Sequence, residues 1–182
     1  MEFRKLGRTD ISVSCVCLGC MGLVGKNQDE GDSVRTINAA LDAGVTFFDT
    51  ARAYQGGRNE ELSGRVLNGK RDQVVIATKL NFLEPERIVE QCEGSLRRLQ
   101  TDYIDLYHIH WPRPGADLDA ALAALDKLKD QGKVRAIGVS NFGASCMKKM
   151  LNTKVRVDTN QLQYNLIWRP IEHAIQPLCV EN

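Results

Sequence analysis

Phe47-Phe48-Asp49-Thr50-Ala51-Arg52-Ala53-Tyr54 reads as a short apolar strand that ends in a carboxylate, with a tyrosine close behind. Later apolar runs end in the same manner. Val74–Ala77 leads to Lys79, Tyr103–Ile109 to His110, and Ala136–Val139 to the pair Ser140-Asn141. Gln161 falls inside or near the end of a further run, Val155–Tyr164. The placing of these polar residues decides the fold.

Working outward, the core strands begin near residues 16, 46, 74, 104, 136 and 157. Most successive starts lie about 30 residues apart, the length of one strand, one helix and a right-handed crossover. Between them apolar residues recur at helical spacing: Val34, Ile37 and Leu41, then Leu62 and Val66, then Ile88, Cys92, Leu96 and Leu99, then Leu118, Leu122, Leu125 and Leu128. Pro85 suits a first helical turn, and Gly44 and Gly132 suit helix ends. Phe142–Leu151 and Ile171–Val180 read as further helices. Phe3–Leu6 and Ile11–Ser14, joined through Gly7 and Asp10, read as an opening hairpin.

Alternating strands and helices admit an open doubly wound sheet or a closed (β/α) barrel. A doubly wound dinucleotide fold concentrates its signal in a G-x-G-x-x-G turn after the first strand. Gly19, Gly22 and Gly25 do not have that spacing. A barrel gathers its chemistry from the C-terminal ends of several strands. The polar strand ends therefore favour an α/β fold of the (β/α)8 TIM-barrel type with an N-terminal β-hairpin, residues 1–182 forming a single domain.

Lys plus Arg number 24 and Asp plus Glu 23, for a net charge of +1 without a run of like charges, which argues against nucleic acid or an acidic membrane as partner. Met1–Arg8 lacks the apolar core of a secretory signal, and Cys15–Gly25 is too short to span a bilayer, so a soluble cytoplasmic protein is expected. Among six cysteines, Cys15, Cys17 and Cys20 are clustered but have no second pair of matched spacing. The cysteines read as buried free thiols, with neither a metal site nor a disulfide framework.

The strand-end residues suit proton delivery to a carbonyl oxygen. A phenol is a weak acid, with a pKa of about 10 in water. An ammonium group beside it stabilises its anion, and a carboxylate fixes that ammonium. Tyr54, Lys79 and Asp49 can form such a chain, and His110 can orient and polarise a carbonyl. Taken singly, each has a plain reading: Asp49-Thr50 as a cap, Lys79 as a solvated charge, Tyr54 as packing. His108 shares a strand face with His110 and reads as an interior histidine. The combination carries the case.

At these residues the chain resembles the aldo-keto reductase family. The matching segments are Leu18-Gly19-Cys20-Met21, Phe48–Ala51 with Tyr54, Asn59-Glu60 with Leu62 and Gly64, Ala77-Thr78-Lys79, Asp105–Tyr107 with Ile109–Pro112, Gly138–Phe142, and Asn160-Gln161 with Tyr164-Asn165. The resemblance implies a (β/α)8 barrel whose bottom the hairpin covers, and NADPH-dependent reduction of aldehydes or ketones to alcohols, NADH being the alternative donor. It makes Tyr54 the general acid, Lys79 and Asp49 its activating pair, and His110 the residue that orients the small-molecule carbonyl substrate. Ser140, Asn141 and Gln161 would hold the nicotinamide carboxamide, Cys20 and Met21 would lie near the ring, and Trp111 would wall the substrate pocket.

Two departures stand out. Gln55 intervenes where the family has glycine after the tyrosine. The chain also reaches Asn182 with about six of eight βα units, without the seventh strand and without the eighth with its basic cofactor-phosphate segment. The first and sixth strands are thus expected to present open edges. A second reading follows: a truncated, catalytically silent fragment, or a regulatory or binding subunit that retains the fold.

Overall fold

A computed structural model describes residues 1–182. An antiparallel hairpin, β1 (Phe3–Lys5) and β2 (Ser12–Ser14), precedes a six-stranded parallel sheet. The sheet comprises β3 (Cys17–Gly19), β4 (Phe47–Asp49), β5 (Val75–Leu80), β6 (Ile104–Ile109), β7 (Val134–Ser140) and β8 (Thr159–Gln161). The strands lie side by side in chain order, without the reversal that defines a doubly wound sheet. The result is a partial (β/α)8 barrel with β3 and β8 at its edges. The helices are α1 (Glu30–Asp42), α2 (Arg58–Leu67), α3 (Pro85–Leu99), α4 (Leu118–Asp130), α5 (Ala144–Leu151) and α6 (Ile171–Glu181).

Local chemistry sets these boundaries. The Asp29 and Asp117 carboxylates accept from Asp32 N and Ala120 N, capping α1 and α4. Pro85 opens α3, where its missing N–H costs nothing. Gly44 and Gly132 stop α1 and α4 at φ of 82° and 73°, values that a side chain would disfavour. On α3 the buried stripe is Ile88, Cys92, Leu96 and Leu99, as the spacing predicts. Every residue of β5 and β6 is buried, since helices cover one face and the barrel interior the other.

Two cores result. The larger lies between strands and helices and includes Ile37, Ile76, Tyr107, Leu125 and Ile137. The smaller fills the inside of the curled sheet with Val75, Ala77, Leu106 and Ala136, and Ile11 and Val13 of the hairpin region plug it. Strand residues alternate in direction. Lys79 therefore shares the inward face of β5 with Val75 and Ala77, His108 that of β6 with Leu106, and Ser140 that of β7 with Ala136. The interior is apolar at the hairpin end and polar at the other.

Buried carboxylates pin the outer layer. Asp105 accepts from Arg71 Nη2 (2.6 Å), Ile76 N (2.9 Å) and Arg135 Nη1 (2.7 Å). Glu60 accepts from Thr78 Oγ1 (2.6 Å) and Arg98 Nε (2.7 Å), tying α2 to β5 and α3.

Three expectations need correction. The last strand spans Thr159–Gln161, not Val155–Tyr164, because β8 pairs on one side alone. The first core strand, expected to begin near residue 16, is not buried: β3 is an edge, and Cys17 and Gly19 are exposed. Of the thiols, Cys20 and Cys92 are buried and Cys146 is half-buried, whereas Cys15, Cys17 and Cys179 are exposed. No helix is long and apolar enough to cross a membrane.

Candidate active site

Asp49 ends β4, Lys79 is the penultimate residue of β5, and His110 directly follows β6. Tyr54 begins a 3₁₀ turn that continues through Gln55 and Gly56, both at positive φ, into α2. Gln55 departs from glycine here yet takes a φ of 50°. The turn returns the tyrosine ring to the strand ends.

Lys79 is buried, as is Asp49. Its ammonium donates to both Asp49 oxygens (2.6 and 2.7 Å), to the Thr50 carbonyl (2.8 Å) and to the Tyr54 phenol oxygen (3.4 Å). Gln161 Nε2 adds a donor to Asp49 Oδ2 at 3.2 Å. The buried charges are thereby paired and their polar atoms occupied, the condition for keeping an ion pair out of water. The phenol oxygen accepts from Lys79, so the phenol hydrogen is free to point into the mouth.

His110 meets the Tyr54 ring edge-on, with centroids 5.8 Å apart, and stacks against Trp111 at 6.2 Å. Burial and the nearby Lys79 charge lower its pKa, with Asp49 opposing, so the imidazole is neutral near pH 7. His110 Nδ1 lies 3.2 Å from Asn81 Oδ1. Below it, His108 is fully buried and its pKa is lowered to about 3, chiefly by burial. His108 Nε2 lies 3.2 Å from Thr159 Oγ1, and its ring packs where a Gly138 Cβ would stand.

Ser140, Asn141 and Gln161 gather on the β7–β8 side. Asn141 takes a φ of 64°, which asparagine tolerates, and donates through Nδ2 to His110 O (3.0 Å) and Ser140 Oγ (3.1 Å). Ser140 Oγ donates to Gln161 O at 3.1 Å. The oxygens Asn141 Oδ1 and Gln161 Oε1 keep no protein donor. Cys20, just past β3, is buried beside Asp49: its N–H donates to Asp49 O (2.8 Å), and burial pushes its thiol up to about 11. Met21 and Trp111 are largely exposed at the mouth.

The structure thus brings Asp49, Tyr54, Lys79 and His110 into contact, with Ser140, Asn141, Gln161 and Cys20 alongside. Asn81 was not singled out in the sequence. Its position just past the strand that carries Lys79 was the available signal. Its N–H donates to Gln91 Oε1 (2.9 Å) and its carbonyl accepts from Arg113 Nε (3.0 Å), which hold the loop beneath His110.

The model of the aldo/keto reductase family matches residues 15–182. The aldo-keto reductase YhdN of Bacillus subtilis is 41% identical over 197 residues, a match that covers 100% of this chain and 59% of that protein. Among solved structures, the holo form of aldo-keto reductase AKR11C1 from Bacillus halodurans superposes with a TM-score of 0.93 at 33% identity, over 100% of this chain and 63% of that one. An aldo/keto reductase from Klebsiella pneumoniae, solved in complex with NADP and acetate, gives 0.87 at 35% identity, over 93% and 61%. The chain spans about six-tenths of the length of the curated relative YhdN.

Proposed function

The chain belongs to the aldo/keto reductase family, and on that premise we propose that it reduces aldehyde or ketone carbonyls to alcohols with NADPH as the hydride donor. The observation that carries the reading is the Asp49–Lys79–Tyr54 chain of hydrogen bonds at the barrel mouth. A neighbour bound to NADP supports the choice of cofactor. Asn141 Oδ1 and Gln161 Oε1, without protein donors, fit the amino group of a carboxamide, and the exposed side of Gln161 leaves room for one.

Asn141 and Gln161 would hold a reduced nicotinamide there, and when bound it would supply hydride to the carbonyl carbon. The chain's own residues manage the proton. Tyr54 O–H donates to the carbonyl oxygen and releases its proton as negative charge develops there. Lys79, already bonded to the phenol oxygen, stabilises the phenolate that remains. Asp49 keeps the ammonium in place, and Gln161 and the ammonium share its charge. Neutral His110 orients the carbonyl. The Asn81 amide has no other side-chain partner, and turned to present Nδ2–H to His110 Nδ1 it leaves the proton on Nε2, ready to donate.

The test is NADPH oxidation at 340 nm by the 182-residue chain with 4-nitrobenzaldehyde, with NADPH binding followed by protein fluorescence. Carbonyl-dependent oxidation is expected. Binding without oxidation would instead favour a fold-retaining binding subunit, and absence of both would remove the reductase reading.

A further inference from the structure

The loops that carry the acid also carry a second group of side chains. Arg52 stands between Asp49 and Tyr54, Phe82 follows Lys79 in the β5–α3 loop, Arg113 follows His110 in the β6–α4 loop, and Arg87 lies in the first turn of α3. The guanidinium carbons of Arg52, Arg87 and Arg113 lie 5.8, 3.3 and 5.7 Å from the centroid of the Phe82 ring. An aromatic face attracts a cation, but three cations around one ring repel one another.

Direct ion pairing does little to offset that repulsion. No carboxylate lies within 4.0 Å of Arg52 or Arg113, and Arg87 reaches only the exposed Glu84, at 3.9 Å. Glu84, Glu86 and Asp117 line the same groove as Phe82 and Arg113, but none of them pairs with Arg113. The backbone holds the cluster beside the chemistry: Arg113 Nε donates to the carbonyl of Asn81, whose side chain contacts His110, and Arg52 N donates to Lys79 O (3.4 Å). The cluster sits over β4–β6, across the mouth from Ser140, Asn141 and Gln161 on β7 and β8.

We propose that Arg52, Arg87 and Arg113 form an anion-recognising rim on the substrate side of the mouth, and that the preferred carbonyl substrate carries a carboxylate or phosphate group. The inference rests on the reductase reading for its orientation. Guanidinium forks match the oxygens of either anion, and contact with the Phe82 face gathers them without neutralising them.

Calorimetric titration with two product alcohols tests it: 4-(hydroxymethyl)benzoate and its neutral methyl ester. The carboxylate is expected to bind about tenfold more tightly at low salt. That ratio should fall toward one in the double variant Arg52→Gln/Arg113→Gln, and in 0.5 M NaCl on the order of the screening expected for exposed charge. A parallel pair, glycerol 3-phosphate and glycerol, shows whether phosphate is the better match. Equal affinities within both pairs, no binding by any of the four, or a preference that survives the double substitution would overturn the proposal. Oxidation of NADPH with methyl 4-formylbenzoate is measured beside it. Turnover without anion preference sinks the rim and leaves the reductase, whereas anion preference without turnover does the reverse.

Discussion

A buried lysine has three protons to place. Lys79 shares one between the two oxygens of Asp49 and turns the others to the Thr50 carbonyl and the Tyr54 phenol, so each contact constrains the others. The two histidines differ by depth. His110 is half-buried at the mouth, while His108 is sealed beneath it with its pKa near 3 against an ordinary 6.5. In the unfolded chain His108 takes up a proton near pH 6.5, and in the folded chain only near 3. The unfolded state therefore binds more protons between those values. The stability linked to neutral His108 is complete above about 6.5 and is lost as pH falls toward 3, by roughly 1 kcal/mol per pH unit. His110, lowered in the same direction, adds to the slope. Urea unfolding of wild type and His108→Gln at pH 7 and pH 4.5 checks this: the wild-type midpoint should drop more between the two pH values. The sequence placed both histidines on one strand face and read His108 as interior, and His108 is indeed buried within β6 while His110 lies just past its end. The partners Asn81 and Thr159 were not legible, because they come from other strands' ends and meet the histidines only when the sheet curls.

At the scale of elements, close approaches decide more than propensity. A Cβ at Gly64 would stand 2.4 Å from Arg98 O and 2.6 Å from Leu99 C, so α2 and the end of α3 touch backbone to backbone there. Neither contact can yield by a rotamer change. Gly64→Ala is expected to cost about 1–3 kcal/mol by overpacking, in spite of alanine's better helix propensity. A fall in the urea midpoint at unchanged m-value measures it, whereas an unchanged or raised midpoint would mean that the helices separate freely. Helices α3 and α4 were readable from their leucine and isoleucine spacing, since each turns one stripe inward. The edge strands were not. Val155 and Val157 continue the pattern of a strand and pack against the core, yet pairing begins only at Thr159, opposite Gly138. Cys17 reads as apolar in sequence and is exposed because β3 has one neighbour. Periodicity reports which residues favour burial. It does not report how many neighbours a strand finds.

For the molecule as a whole, the inside of the sheet changes from Val75, Ala77, Leu106 and Ala136 at the hairpin end to Asp49, Lys79, His110 and Ser140 at the other. That gradient was visible in the sequence as apolar runs with polar last residues, which is why the barrel could be preferred to a doubly wound sheet. The arginine cluster was not visible. Arg52, Phe82 and Arg113 occupy three separate loops, and no motif links them until the strands stand side by side. Both features serve one account, in which the barrel mouth delivers a proton from Tyr54 under the control of a buried ion pair. Steady-state reduction of 4-nitrobenzaldehyde by Tyr54→Phe beside wild type, with NADPH affinity measured on both, tests that claim most directly. The account predicts a kcat lower by about 10²–10⁴ with NADPH affinity retained; equal kcat for the two proteins would contradict it.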